Sequence, residues 1–131
     1  MKKLIFYLKL FREDSKRYGL KKSFFTRDPR LRAIFYLRMS QYFFFVKNNF
    51  FSRILYNKLR TKYGLDIHPQ TKIGGGIKIV HLGGIVIHKD CIIGKNLTIL
   101  NNVTLGQRNS REINSVPILG NNVSLSVFST L

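Results

Sequence analysis

The chain is short of cysteine, acidic side chains and long apolar runs, and each shortage closes off a class of function. Its one cysteine, Cys91, excludes an internal disulfide framework. Cys91 falls at an apolar position of the repeat described below, which suits a small core residue rather than a reactive thiol. No stretch reaches the roughly eighteen consecutive apolar residues of a membrane span. Only five uncharged residues separate Lys3 from Lys9, too few for the apolar core of a signal peptide, so a cytoplasmic location is expected. The three histidines, His68, His81 and His88, have no cysteine partners at zinc spacing, and no metal ligands are assigned. Neither a Gly-x-Ser-x-Gly elbow nor a phosphate-cradling Gly-Lys-Ser/Thr loop occurs, which leaves a nucleophilic hydrolase or a nucleotide enzyme without support.

Acid is the scarcest charge. Six Asp and Glu stand against 23 Lys and Arg, a formal charge of +17. The imbalance is concentrated: residues 1–65 carry 17 basic and 3 acidic residues, and residues 66–131 carry 6 and 3. Any basic partner surface therefore belongs to the N-terminal half.

What the chain does have is a period of six. Ile67, Ile73, Ile79, Ile85, Cys91, Leu97 and Val103 are all apolar, and a second register two residues on holds Ile87, Ile93, Ile99 and Leu105. Turn formers fall between them: Gly74-Gly75-Gly76, Gly83-Gly84, Gly94-Lys95-Asn96 and Asn101-Asn102. Six matches neither the helical period of about 3.6 nor the strand period of about 2. It suits a parallel solenoid in which each hexad supplies one short strand and one corner, with about eighteen residues per coil. The echo of Asn96-Leu97-Thr98-Ile99 in Asn102-Val103-Thr104-Leu105 and Asn122-Val123-Ser124-Leu125 supports an internal repeat.

The first 64 residues read instead as a basic, aromatic-rich helical region. Residues 2–13 place Leu4, Leu8 and Phe11 on one helical face, and Gly19 closes a short linker. Asp28-Pro29 is an N-cap followed by proline at the first helical position. The helix after it presents Leu31, Ile34, Phe35, Tyr42 and Phe45, and Asn48-Asn49 breaks it. A third helix runs from about Phe50 to Tyr63, with Phe51, Ile54, Leu55 and Leu59 inward and Gly64 as C-cap. Such a segment could cap the solenoid and meet sister subunits, or lie on an anionic membrane. Nucleic acid is not an expected partner, because no binding motif accompanies the charge.

Asp66 and His81 are the residues that could carry chemistry. They lie fifteen apart, nearly one coil, so a carboxylate could steady an imidazole acting as general base on a hydroxyl. A histidine that merely stacks or faces solvent fits the same spacing.

The stretch from Asp66 to Gly106 resembles the left-handed β-helix (hexapeptide-repeat) acetyltransferases, specifically serine acetyltransferases and their relatives in polysaccharide gene clusters. The resemblance rests on Asp66-Ile67-His68-Pro69, Ile73-Gly74 and Gly76, His81, Gly84-Ile85-Val86-Ile87 and Val103-Thr104-Leu105-Gly106. Fainter echoes at Arg27-Asp28-Pro29 and Tyr36–Phe43 extend it over roughly residues 25–125. It implies an α+β chain, helical over 1–64 and a left-handed parallel β-helix over 65–131, with a loop extruded at 107–116. It implies an O-acetyltransferase that uses acetyl-CoA as co-substrate and holds no permanent cofactor. His81 would be the general base and Asp66 its partner, Asp28 would meet the acceptor, and Gly106, Arg108 and Arg111 would meet CoA. Trimers, or pairs of trimers, are the expected assembly.

Departures from the family pattern bear on the acceptor. Val80 stands where the family has an acid, and Ser115-Val116 where it has the Arg-His that binds the serine carboxylate. His88-Lys89 replaces a Gly-Glu. These departures favour a sugar hydroxyl as the expected acceptor, as in the polysaccharide-cluster relatives, with L-serine the alternative. Beyond the loop, Leu125-Ser126-Val127-Phe128-Ser129 replaces a Gly/Ala-rich coil, and only about three coils are expected, as in a shortened relative. The competing expectation is an inactive solenoid that serves as an oligomerisation or membrane-surface scaffold.

Overall fold

The computed structural model describes residues 1–19, 27–112 and 115–131. Three helices precede nine short strands. Helix α1 spans Lys2–Lys16, α2 Pro29–Phe45 and α3 Asn49–Tyr63. The strands are β1 Leu65–Ile67, β2 Lys72–Ile73, β3 Lys78–Ile79, β4 Ile85–Ile87, β5 Ile92–Ile93, β6 Thr98–Ile99, β7 Thr104–Leu105, β8 Ile118–Leu119 and β9 Ser124–Leu125.

The strands form three parallel sheets in the orders β1-β4-β7, β2-β5-β8 and β3-β6-β9. Each sheet takes every third strand, so the chain winds as a three-sided prism of three coils. This is the parallel solenoid expected from the period of six, and the left-handed β-helix that the resemblance implies.

The two apolar registers are one ladder interrupted by an insertion. Ile67 pairs with Ile87, Ile73 with Ile93 and Ile79 with Ile99, each 20 residues on, whereas Ile87 pairs with Leu105 at 18. Two extra residues enter between β3 and β4, at the corner that holds His81. After that corner, Ile85, Cys91, Leu97 and Val103 occupy the second inward position of each strand, and Ile87, Ile93, Ile99 and Leu105 continue the first. All of them are buried, because both positions face the axis. The next coil takes 26 residues, from Thr98 to Ser124, which locates the extruded loop between β7 and β8. Within the 107–116 loop, Ile113 and Asn114 lie outside the described residues.

Asparagine turns the corners of the repeat. Asn96, Asn102 and Asn122 adopt φ of 60°, 54° and 60°, a left-handed conformation that asparagine tolerates better than most residues. The Asn96 side chain donates to Asn122 Oδ1 at 3.1 Å, so these two members of the echo stack at one corner, while Asn102 turns another, over Gly84.

Helix α2 and the segment ending α1 pack along the Thr71–Ile79 side of the coil, and α3 packs against β1. Asp28 caps α2 by accepting from Arg30 N, with Pro29 at the first position, and Gly64 (φ 64°) closes α3. Several inward faces differ from the sequence expectation. Tyr7, not Leu8, accompanies Leu4 and Phe11 toward the bundle, and Leu8 is exposed. Phe45, Phe51 and Ile54 are also exposed, while Ala33, Leu37, Ser52 and the charged Asp14 and Arg38 are buried. The buried polar residues follow from the seam between bundle and coil, which hydrogen-bonding side chains hold together. Gln41 donates to Thr71 O at 2.9 Å, and Arg17 to Gly76 O at 3.0 Å.

Candidate active site

His81 stands exposed on the widened corner between β3 and β4. The backbone just before it is gripped by Tyr18, just past the end of α1, and by Arg30 of α2. The Tyr18 hydroxyl donates to Ile79 O at 2.8 Å and accepts from Ile79 N at 2.7 Å. Arg30 Nη1 donates to Val80 O at 3.2 Å. Burial pushes the Tyr18 phenol up to about 12, which keeps it neutral and able both to donate and to accept. The Arg30 guanidinium also lies over the Tyr18 ring, 5.1 Å from its centroid.

Asp28 belongs to the same cluster. Its Oδ2 meets Arg30 Nη2 at 2.7 Å, and its Oδ1 accepts from Arg30 Nε at 3.0 Å. These hydrogen bonds hold the Asp28 carboxyl below its usual range, with burial opposing them. Through Arg30, the α2 N-terminus sets a carboxylate beside the residue that precedes His81. Arg30 and Tyr18 were not singled out in the sequence. The available signal was the placement of Arg30 two residues after an N-cap, which lets one guanidinium serve both the cap and a neighbouring carbonyl.

Asp66 is held differently from the sequence expectation. On β1 it pairs with Val86, and His81 lies five positions before that partner, three from the spacing itself and two from the inserted residues. The Tyr56 hydroxyl donates to Asp66 Oδ1, and Arg60 Nε lies 3.7 Å from the same oxygen. Tyr56 and Arg60 sit one turn apart on α3, and neither was marked in the sequence. Among the described residues, His81 makes no hydrogen bond or ion pair, so the two residues are not in contact within one chain. Asp66 lines a shallow recess with Asn57, Arg60, Thr61, Gly84 and Val86.

The remaining candidates lie elsewhere. Gly106 N donates to Leu131 O at 2.9 Å on the last coil, and Arg108 N to Ser115 O at 2.9 Å within the loop. The Arg108 and Arg111 side chains are exposed. Phe128 occupies an exposed corner with φ 60°. Cys91 is buried in the coil, and desolvation raises its thiol, as befits core filler. Among the described residues no three His, Cys, Asp or Glu side chains converge as a metal site would require. No described helix is long and apolar enough to cross a membrane.

No family model matches the chain. It is 37% identical over 89 residues to a serine acetyltransferase of Buchnera aphidicola, covering 67% of this chain and 34% of that protein. It is 35% identical over 95 residues to a serine acetyltransferase of Synechocystis, covering 72% and 38%. The fold superimposes on serine acetyltransferase isoform 3 of Entamoeba histolytica, solved with cysteine, with TM-score 0.81 and 22% identity over 98% of this chain and 49% of that one. The chain is serine acetyltransferase-like. A Neisseria gonorrhoeae serine acetyltransferase solved with serine agrees, with TM-score 0.78 and 24% identity over 95% and 54%. The chain spans about a third of the length of the two curated relatives named above.

Proposed function

We propose that this chain carries the acceptor-activating corner of an acetyl-CoA-dependent O-acetyltransferase, with His81 as general base. The observation that carries the reading is the corner itself. Two inserted residues lift an exposed imidazole off the prism, and Tyr18, Arg30 and Asp28 fix the backbone immediately before it. Such a base takes the acceptor hydroxyl proton as that oxygen attacks the thioester carbon. The tetrahedral intermediate then expels the CoA thiolate, which takes up a proton, leaving an acetyl ester and free CoA.

L-Serine is the first acceptor to test, since the neighbours include serine acetyltransferases solved with serine or cysteine. Asp28, already bonded to Arg30, would meet the acceptor's cationic or hydroxyl groups. Arg108 and Arg111, on the loop, would meet the phosphates of CoA, with Gly106 beside them, and no metal or permanent cofactor enters the scheme. The resemblance to serine acetyltransferases favours this reading over an inactive scaffold. A cytoplasmic trimer, or a pair of trimers, is the assembly that accompanies it.

Thiol release from acetyl-CoA in the presence of L-serine or of sugar acceptors tests the proposal. His81→Ala should lower the rate by about 10²–10⁴-fold, the usual worth of a general base, without changing the mass of the assembly. An unchanged rate in that variant would refute the role of His81.

A further inference from the structure

The far end of the helical bundle combines exposed apolar rings with unopposed positive charge. There the N-terminal half of α1, the end of α2 and the start of α3 meet, and Ile5, Phe6, Phe45, Phe50, Phe51 and Ile54 are all exposed, Phe50 at 69%. The rings form a connected belt. Phe6 and Tyr7 are 5.2 Å apart between centroids, Tyr7 and Phe45 6.5 Å, Tyr7 and Tyr42 6.2 Å, Tyr42 and Phe43 5.2 Å, Phe43 and Phe51 5.4 Å, and Phe51 and Phe50 5.4 Å.

The cations lie among these rings. Lys3 Nζ sits 4.5 Å above the Phe45 ring, Lys47 occupies the α2–α3 turn, and Arg53 follows Phe50 by one turn of α3. No acid of the helices shares this end; on the coil, Asp90 accepts from Gln70, which lines the adjoining groove. The three acids of residues 1–65 are all at the other: Asp14 is bound to Gly76 N and Ile77 N, Glu13 lies against Gly75, and Asp28 is beside Val80. The apolar surface continues into a groove of about 430 Å³ between Phe6, Tyr7 and Phe45 on one side and Pro69 and Ile93 on the other.

We propose that this tip docks on the surface of an anionic lipid bilayer. Exposed Phe and Ile enter the headgroup boundary, and the long Lys and Arg side chains reach the anionic groups around them. A second copy of the chain is the competing occupant, and charge weighs against it. Two tips face to face would oppose cations to cations, since the acids of the helices lie at the other end and Asp90 is already paired with Lys89. An anionic surface complements both the rings and the charge. This docking does not depend on acetyl transfer, and His81→Ala should leave it unchanged.

Co-sedimentation of the whole chain at low salt, with vesicles of equimolar phosphatidylglycerol and phosphatidylcholine or of phosphatidylcholine alone, tests the proposal. The chain should pellet with the anionic vesicles and not with the neutral ones. Each cation near such a surface contributes about fivefold in affinity, so Lys2→Gln with Lys3→Gln should bind about 25-fold more weakly. Phe6→Ser with Phe50→Ser should weaken binding by about tenfold or more. The chain contains no tryptophan, so Phe50→Trp gives a single indole, excited apart from the tyrosines, in a side chain that the core does not use. Its emission should shift to the blue when anionic vesicles are added. Absence of pelleting with anionic vesicles, or binding that the double serine variant leaves intact, would overturn the proposal. So would a blue shift that needs no vesicles and follows protein concentration, which would assign the tip to a second copy.

Discussion

Asp14 of α1 and Arg38 of α2 form an ion pair in which both side chains are 0% exposed, at 2.8 Å. The guanidinium also donates to Gln41 Oε1 and to the carbonyls of Ile73 and Gly74, and Asp14 accepts from the backbone N–H groups of Gly76 and Ile77. One buried pair thus ties two helices to the first coil and satisfies the backbone between β2 and β3.

Breaking that pair should be costly. Arg38→Met leaves the Asp14 charge buried with only backbone donors, and a loss of about 3–5 kcal/mol of stability is expected from urea unfolding. Arg38→Lys should recover only a small part of it, because one ammonium cannot reach acceptors arranged for a planar fork. A loss below about 1 kcal/mol in Arg38→Met would show that the seam does not depend on the pair.

Gly64 links a helix cap to the His81 corner. Its φ is 64°, and an added Cβ would stand 2.9 Å from Gly83 Cα. Gly64→Ala should therefore cost about 1–2 kcal/mol for the left-handed conformation, with a further penalty from the clash. Because Gly83 lies two residues after His81, the same variant should slow acetyl transfer more than Gly19→Ala, whose added Cβ meets nothing within 4 Å. Equal rates in the two variants would separate the cap from the corner.

The coil was legible because its physics is local: one apolar position per hexad, small or Asn residues at corners, parallel stacking. The insertion at His81 was hidden because both inward positions of each strand are apolar, so counting in sixes passed from one to the other without a miss. Asp66 was then placed under His81 when it stacks under Val86. The helix faces were legible only where they meet helix; at the seam, Asp14, Arg38 and Gln41 take core positions that hydrophobicity assigns elsewhere. The corner's supports, Tyr18 and Arg30, act through backbone carbonyls, which leave no side-chain pattern to find.

His68 should respond to mild acid. Its ring lies edge-on to Tyr56 at 5.4 Å and to Phe44 at 5.7 Å, and Nδ1 accepts from Gln70 N at 3.0 Å. Desolvation, with help from Lys89, lowers its pKa below 6.5. The unfolded chain then binds the proton first. Stability from this group is complete above about 6.5 and falls as pH drops through the lowered value. An NMR titration should show a His68 midpoint below 6.5, and His68→Gln should flatten the stability profile between about pH 7 and 5. A midpoint above 6.5 would contradict the geometry.

Tyr56 and Asp66 provide the sharpest test of the proposed base. Burial, then the hydrogen bond to Asp66, pushes the Tyr56 phenol up to about 12, and Tyr56→Phe should remove a late-titrating group from the ultraviolet difference titration. If Asp66 assists His81, Asp66→Asn should lower the acetyl-transfer rate by about tenfold or more with the assembly intact, and Tyr56→Phe, which keeps the carboxylate charge, should lower it less. If Asp66→Asn leaves the rate unchanged, Asp66 is a structural partner of α3 and His81 works without it.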